Sequence, residues 1–296
     1  MDDPHSDRLR LIATHDQFRL TNRLFSRYRT LLTRHVLRDM ERLRRRSRPV
    51  RSFTVLEIGA GACDVAIWLA RAFRKRGIAA RITCIDNDSR IASHARRLIM
   101  ASGLSDRITF LQLSAFDANQ LPDYDYVICG NTLHHFTEDQ ARILLGLMAR
   151  KAARRFLASD LERSPIGWMA FWAFSTMFLH GSFVRHDGLV SFARAFVPRE
   201  LRALAQEAGN RHQARVLHLF PARLCVLGAG AAGKVPRARP TAAAFPRMNP
   251  SAADSSSCSS SPGSFRRSPA IRPPWAATAP RPGLNGKSQL HSSLLT

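Results

Sequence analysis

The feature that most constrains this chain is an alternation that runs from residue 53 to residue 228, in which short apolar runs are separated by longer amphipathic stretches. Phe53–Ile58 reads as a buried strand and 63–76 as the helix after it; 81–85 and 88–101 repeat the pair. Strands over 108–113 and 124–129, a helix over 138–152 and a strand over 155–159 follow. After an insertion, Pro198 opens a helix at 199–208, and two last strands fall at 213–219 and 222–227. Repeated β-α units predict an α/β fold, a seven-stranded mostly parallel sheet with helices on both faces. In such sheets the ligand lies beyond the carboxyl ends of the strands, where the strand order reverses. The residues just after each strand therefore carry the functional information.

The alternation sets the boundaries. Residues 1–50 read as a helical N-terminal arm, because apolar side chains from Leu9 to Met40 recur mostly at steps of three and four. Five arginines crowd Arg42–Arg48, as a solvated helix end or a nucleic-acid contact. Residues 51–228 form the α/β domain, with an insertion over 163–197. Residues 229–296 are rich in Pro, Ser, Ala and Arg and hold nine basic residues against one acid, Asp254. No apolar period survives there to offset the entropy of ordering, so this tail is predicted to be disordered. A basic binding tail and translation from a shifted reading frame are the other readings of it.

Across the chain, 45 Lys+Arg against 22 Asp+Glu give a net charge of +23. That balance draws a protein to nucleic acid, acidic lipid or phosphorylated ligands without choosing among them. The five cysteines include no C-x-x-C pair, which argues against a zinc ribbon or a disulfide framework and for reduced thiols in the cytoplasm. No metal site is expected. The acidic, polar N-terminus reads as lacking a signal peptide.

At the strand ends, Glu57-Ile-Gly59-Ala-Gly61-Ala-Cys63-Asp64 follows the first strand. Two glycines one residue apart allow a tight turn and close approach of a ligand. A dinucleotide fingerprint needs a third glycine where this chain has Asp64, which counts against NAD or FAD. The second strand ends at Asp86, placed to take ribose hydroxyls. The third runs into Phe116-Asp117, and the fourth into Gly130-Asn131-Thr-Leu-His134-His135. Singly, each acid is a solvated loop residue or a helix cap; together, in this order, they point to a nucleoside without a phosphate.

This constellation resembles the class I S-adenosylmethionine-dependent methyltransferases, over roughly residues 50–228. The resemblance implies a Rossmann-like sheet and S-adenosyl-L-methionine as cofactor. It implies that Glu57 and Phe116 are among the cofactor-binding residues, that Gly59 and Gly61 pass beneath the methionine part, and that Asp86 binds the ribose hydroxyls and Asp117 the adenine amino group. It places Asn131 near the reacting centre. The chain departs from the family pattern at Cys63, where many members have a third glycine. Carboxylates near a sulfonium cation favour its binding even in a basic protein.

The acceptor is read from what is absent and what is inserted. An Asn/Asp-Pro-Pro-aromatic run after the fourth strand marks exocyclic-amine enzymes, and this chain has Gly130-Asn-Thr-Leu instead. It also has no Pro-Cys dipeptide of the cytosine-carbon kind. Both absences lower a nucleic-acid substrate. Ile166–Val184 is nineteen residues without Asp, Glu, Lys or Arg. Its length barely meets that of a membrane span. Core packing, an aromatic lid over an apolar acceptor, and contact with a membrane surface all fit it. The run from Val184 through Arg185-His186-Asp187 to Pro198 resembles small bacterial methyltransferases of polyketide and phenolic-lipid metabolism. His186 beside Asp187 is a candidate general base, with His134 and His135 as rivals. By resemblance the N-terminal helices fold across the cofactor, bringing Tyr28 within reach; a core tyrosine is the other assignment. The combined expectation is methyl transfer to a small apolar acceptor at oxygen or carbon. An RNA methyltransferase, a non-catalytic cofactor-binding scaffold and a nicotinamide oxidoreductase are the alternatives. The oligomeric state is not encoded in any feature above.

Overall fold

Strand alternation decides which side chains face which layer. In β1 (Phe53–Ile58), Phe53 and Val55 enter one core and Leu56 and Ile58 the other. The remaining strands are β2 (Ala80–Asp86), β3 (Ile108–Gln112), β4 (Tyr124–Gly130), β5 (Ala152–Leu161), β6 (Ala214–Leu219) and β7 (Arg223–Ala229). They form one sheet in the order β3-β2-β1-β4-β5-β7-β6. The first five pair in parallel, and β7 runs antiparallel between β5 and β6. The Rossmann-like, mostly parallel seven-stranded sheet expected from the sequence is what the chain forms. The order reverses between β1 and β4, so the ligand crevice of such a sheet opens at their carboxyl ends. This computed structural model describes residues 26–46, 52–179, 184–210 and 214–230. The arm before residue 26 and the tail from residue 231 lie outside the described residues.

The first helix begins as Tyr28–Leu32, widens through a π segment at Thr33–Leu37 and continues as Arg38–Arg46. We call this run α1. It is followed by α2 (Asp64–Lys75), α3 (Ser89–Ala101), α4 (Glu138–Lys151), α5 (Pro165–Phe178), α6 (Val184–Arg194) and α7 (Pro198–Ala205). α1, α2 and α3 cover one face of the sheet through Leu32, Leu37, Leu69, Phe73 and Ile99. α4 and α7 cover the other through Leu144, Met148, Leu201 and Leu204. Each such side chain, fully buried, contributes about 1.5–3 kcal/mol. Polar anchoring adds direction. The Tyr126 hydroxyl donates to Asp39 Oδ2 at 2.7 Å, and Arg154 and Arg155 each lie 3.6 Å from that oxygen. α1 is thereby fixed against the sheet.

Local signals explain the helix starts. Thr137 and Gln140 exchange side-chain and backbone hydrogen bonds, a capping box that opens α4. Ser164 Oγ accepts from the Gly167 N–H at 3.3 Å, with Pro165 at the first helical position of α5. Two boundaries differ from the sequence reading. β5 starts at Ala152, which reads as the last helical residue, because Ala152 pairs with Tyr124 of β4. Within the insertion, the apolar run splits into α5 and the start of α6, with 180–183 outside the described residues. α5 and α6 pack through a small core of Trp168, Leu189 and Phe192. Phe171 lies so close to Gly188 that a Cβ there would fall 2.3 Å from its ring. No helix among the described residues is long and apolar enough to cross a membrane.

Candidate active site

The turn after β1 is built from left-handed residues. Gly59 has φ +67°, and a Cβ there would fall 2.3 Å from Thr132 Oγ1. Gly61 and Cys63 have φ 51° and 60°. For a residue with a side chain this conformation costs about 1–2 kcal/mol, which explains why the position suits glycine. Cys63 is wholly buried, and its thiol meets that of Cys84. The turn is tied to the neighbouring strand: the Gly61 N–H donates to Asp86 Oδ2 at 2.7 Å, and the Asp88 N–H donates to Asp86 Oδ1 at 3.0 Å. A carboxylate accepts about four hydrogen bonds, so these two leave lone pairs on both oxygens for vicinal hydroxyls.

Glu57 shares the parity of Phe53 and Val55, so it points into the apolar layer under α1 and α2. Burial, then the Asp64 carboxylate, push its carboxyl up to about 8, and the Cys84 thiol lies 3.8 Å from Glu57 Oε2. Asp64 opens α2, at the helix end where a dinucleotide would set its pyrophosphate. An acid there, with Asp86 alongside, repels a phosphate and attracts a cation. The residues present therefore fit an adenosyl sulfonium.

The end of β4 holds a second cluster. Asn131 adopts φ 55° and donates its N–H to the Ser159 carbonyl at 2.8 Å. Its side-chain oxygen accepts from buried Arg223. Next along the chain, buried His134 places Nδ1 2.6 Å from Asp160 Oδ1, while its backbone N–H donates to Oδ2 at 2.9 Å. Burial acts to raise the Asp160 carboxyl, but His134 and Arg223 outweigh it and hold it below the ordinary carboxylate range. Burial lowers Arg223 to about 10 against the pull of Asp160. With Asp160 as acceptor at Nδ1, the favoured tautomer is the one whose lone pair lies on Nε2. This is the arrangement a general base needs.

The other expected site residues sit further out. His135 is exposed, with its ring 4.2 Å from that of His134. Phe116 packs edge-on against Phe136 at 5.2 Å, and Asp117 is exposed on the 3₁₀ turn Ala115–Gln120. His186 is exposed on the first turn of α6, with Nδ1 3.3 Å from Asp187 Oδ1. Tyr28 is buried, and its ring covers Gly130, where a Cβ would fall 2.7 Å from Tyr28 Cε1. Its hydroxyl has no hydrogen-bond partner among the described residues.

Residues 55–155 match the family described as "Methyltransferase domain". This segment, about a third of the chain, resembles a methyltransferase domain. The chain also aligns with an uncharacterized protein of Synechococcus sp., 40% identical over 95 residues that make up 30% of this chain and 22% of the relative. The chain thus spans about a fifth of the curated relative it matches. Similar solved structures include magnesium protoporphyrin IX methyltransferase from Synechocystis, at 15% identity and TM-score 0.46 over 74% of this chain and 84% of that one. Another is an O-methyltransferase family protein from Burkholderia thailandensis, at 18% identity and TM-score 0.45 over 62% and 52%. The sequence reading singled out the glycine turn, Asp86, Asn131 and the histidine pair, which the structure places at the carboxyl ends of β1, β2 and β4. It did not single out Asp160, Arg223 or Thr132. An acid at the tip of β5 was the one local signal for Asp160; nothing near Arg223 in sequence points to Asn131.

Proposed function

We propose that this protein transfers a methyl group from S-adenosyl-L-methionine to a hydroxyl of a small, apolar, phenolic or polyketide-like acceptor. The observation that carries the reading is the juxtaposition, at one sheet edge, of the Asp86-anchored glycine turn with the His134–Asp160 pair. Bound there, S-adenosylmethionine supplies an electrophilic methyl on a sulfonium. Gly59 and Gly61 let the backbone approach it, Asp86 takes its ribose hydroxyls, and Asp64 and Asp86 supply the acidic surroundings. Asp117 and Phe116 serve the adenine. His134 Nε2 removes the acceptor's proton, Asp160 holds the imidazole in the required tautomer, and Arg223 fixes Asn131 beside them. Transfer is then an in-line displacement, in which alignment supplies much of the acceleration. The apolar α5–α6 hairpin supports an apolar acceptor: α6 adjoins the histidine turn, and α5 exposes apolar side chains. His186, on α6, is the alternative base.

Incubation with labelled methyl donor and a cell extract separated into RNA, protein and lipid fractions tests this reading. Label in the lipid or small-molecule fraction is expected. The net charge of +23 favours a second reading, methylation of RNA, and label confined to RNA would put it in place of the first. Cofactor binding with no labelled product in any fraction would leave a non-catalytic scaffold.

A further inference from the structure

Eight large hydrophobic side chains are strongly exposed among the described residues, and six of them gather at one place. Ile166, Met169, Trp172, Met177 and Phe178 lie on α5, and Phe220 at the β6–β7 turn is 80% exposed. The turn abuts the start of α5: a Cβ on Gly167 would fall 2.4 Å from Ala222 Cβ. α5 therefore packs one side on α6 and presents the other, with the hairpin tip beside it, as one apolar patch. The patch carries no charged residue along the 14 residues of α5, while Arg185 and Arg194 are exposed on α6, the helix packed against α5.

We propose that this patch docks the protein on the surface of an anionic phospholipid bilayer. At 14 residues, α5 is about 21 Å long, too short for a hydrocarbon core of about 30 Å, so it lies in the interface plane. Trp172 suits that depth, with an apolar body and a polar N–H. The charge selects this occupant over a second copy of the chain. Two copies face to face would each bring +23, whereas anionic headgroups supply the opposite sign. β7 starts at Arg223, opposite Leu161 at the end of β5, so the hairpin tip stands at the carboxyl edge where the crevice opens. Docking turns that opening toward the acyl region, where apolar molecules dissolve. Delivery of an acceptor from the bilayer rests on the proposed function; the docking itself does not.

Sedimentation of the full-length protein with phosphatidylcholine vesicles, with and without phosphatidylglycerol, tests the proposal. The unaltered protein is expected to bind vesicles containing phosphatidylglycerol. Trp172→Glu and Phe220→Glu, each at an exposed position, should lower the partition at least about tenfold, since a charge is costly at apolar depth. Met100→Glu, exposed away from the patch, should leave it unchanged. Absence of vesicle binding, or equal binding by all variants, overturns the proposal. So does a dimer in solution that Trp172→Glu dissociates, which assigns the patch to a second copy. Binding lost on deletion of 232–296 but kept in Trp172→Glu would assign lipid contact to the tail instead. Methyl-transfer assays are separate, so failure of docking and failure of the enzymatic reading are told apart.

Discussion

The Gly61 N–H donates to Asp86 Oδ2 at 2.7 Å, so the glycine turn after β1 and the tip of β2 are held as one piece. Asp86 thus anchors the turn, and in the proposed function it also accepts ribose hydroxyls. Asp86→Ala is expected to weaken S-adenosylmethionine binding at least tenfold, about 1.4 kcal/mol or more. Calorimetric titration of both proteins checks this, and equal affinities would remove Asp86 from the site.

The His134–Asp160 pair predicts a split between binding and chemistry. His134→Gln should lower kcat by about a hundredfold while cofactor affinity stays within about twofold, as for loss of a general base. Asp160→Asn should act likewise and also destabilise the fold by about 3 kcal/mol, because Arg223 is left buried beside a neutral group. Turnover against pH, with calorimetric affinity, checks the first; chemical denaturation checks the second. Unchanged turnover in His134→Gln would move the role to His186.

Glu57 makes stability depend on pH in a defined direction. Its carboxyl is raised from 4.5 to about 8 in the fold. The folded state therefore holds more protons than the unfolded chain in that window, and stability falls as pH rises through it. Glu57→Gln should remove this loss. The variant and the parent should differ little near the lower end of the window. Above its upper end the variant should be more stable by up to about 5 kcal/mol, at 1.36 kcal/mol per pH unit. Denaturant titrations at both ends decide it; parallel stability profiles would contradict the burial assignment.

Tyr28 carries a buried hydroxyl without a partner among the described residues. Leaving such a group unsatisfied costs about 1–3 kcal/mol. Tyr28→Phe should therefore raise the melting temperature of the cofactor-free protein. The phenol covers Gly130 at the carboxyl edge, so the same substitution should weaken cofactor binding several-fold if the ligand is its partner. A thermal shift series with and without S-adenosylhomocysteine reads both effects.

Local pattern made the sheet legible. Buried runs such as Phe53–Ile58 and Tyr124–Gly130 are mostly apolar, and Pro198 marks a helix start by its own chemistry. The glycine turn was legible because φ near +60° selects glycine, and Cys63 as the departure is the residue that bears the strain. What sequence did not disclose was long-range pairing. His134 and Asp160 are 26 residues apart, and Asn131 and Arg223 are 92 apart. Nothing local distinguishes Arg223 from the chain's many surface arginines; only burial between β5 and β6 does. The position of β7 in the sheet was hidden for the same reason, since strand order is a property of the assembled layers.

The hairpin of α5 and α6 has its own nucleus of Trp168, Leu189 and Phe192, which Leu161 of β5 and Ala222 of the β6–β7 turn join to the edge of the sheet. A unit that supplies its own packing behaves as an exchangeable cassette. Substitutions on its solvent-facing side can reshape it without reaching the strands that carry the glycine turn. Divergence in acceptor preference among such proteins would then accumulate in this cassette, while the donor-side machinery stays under separate selection.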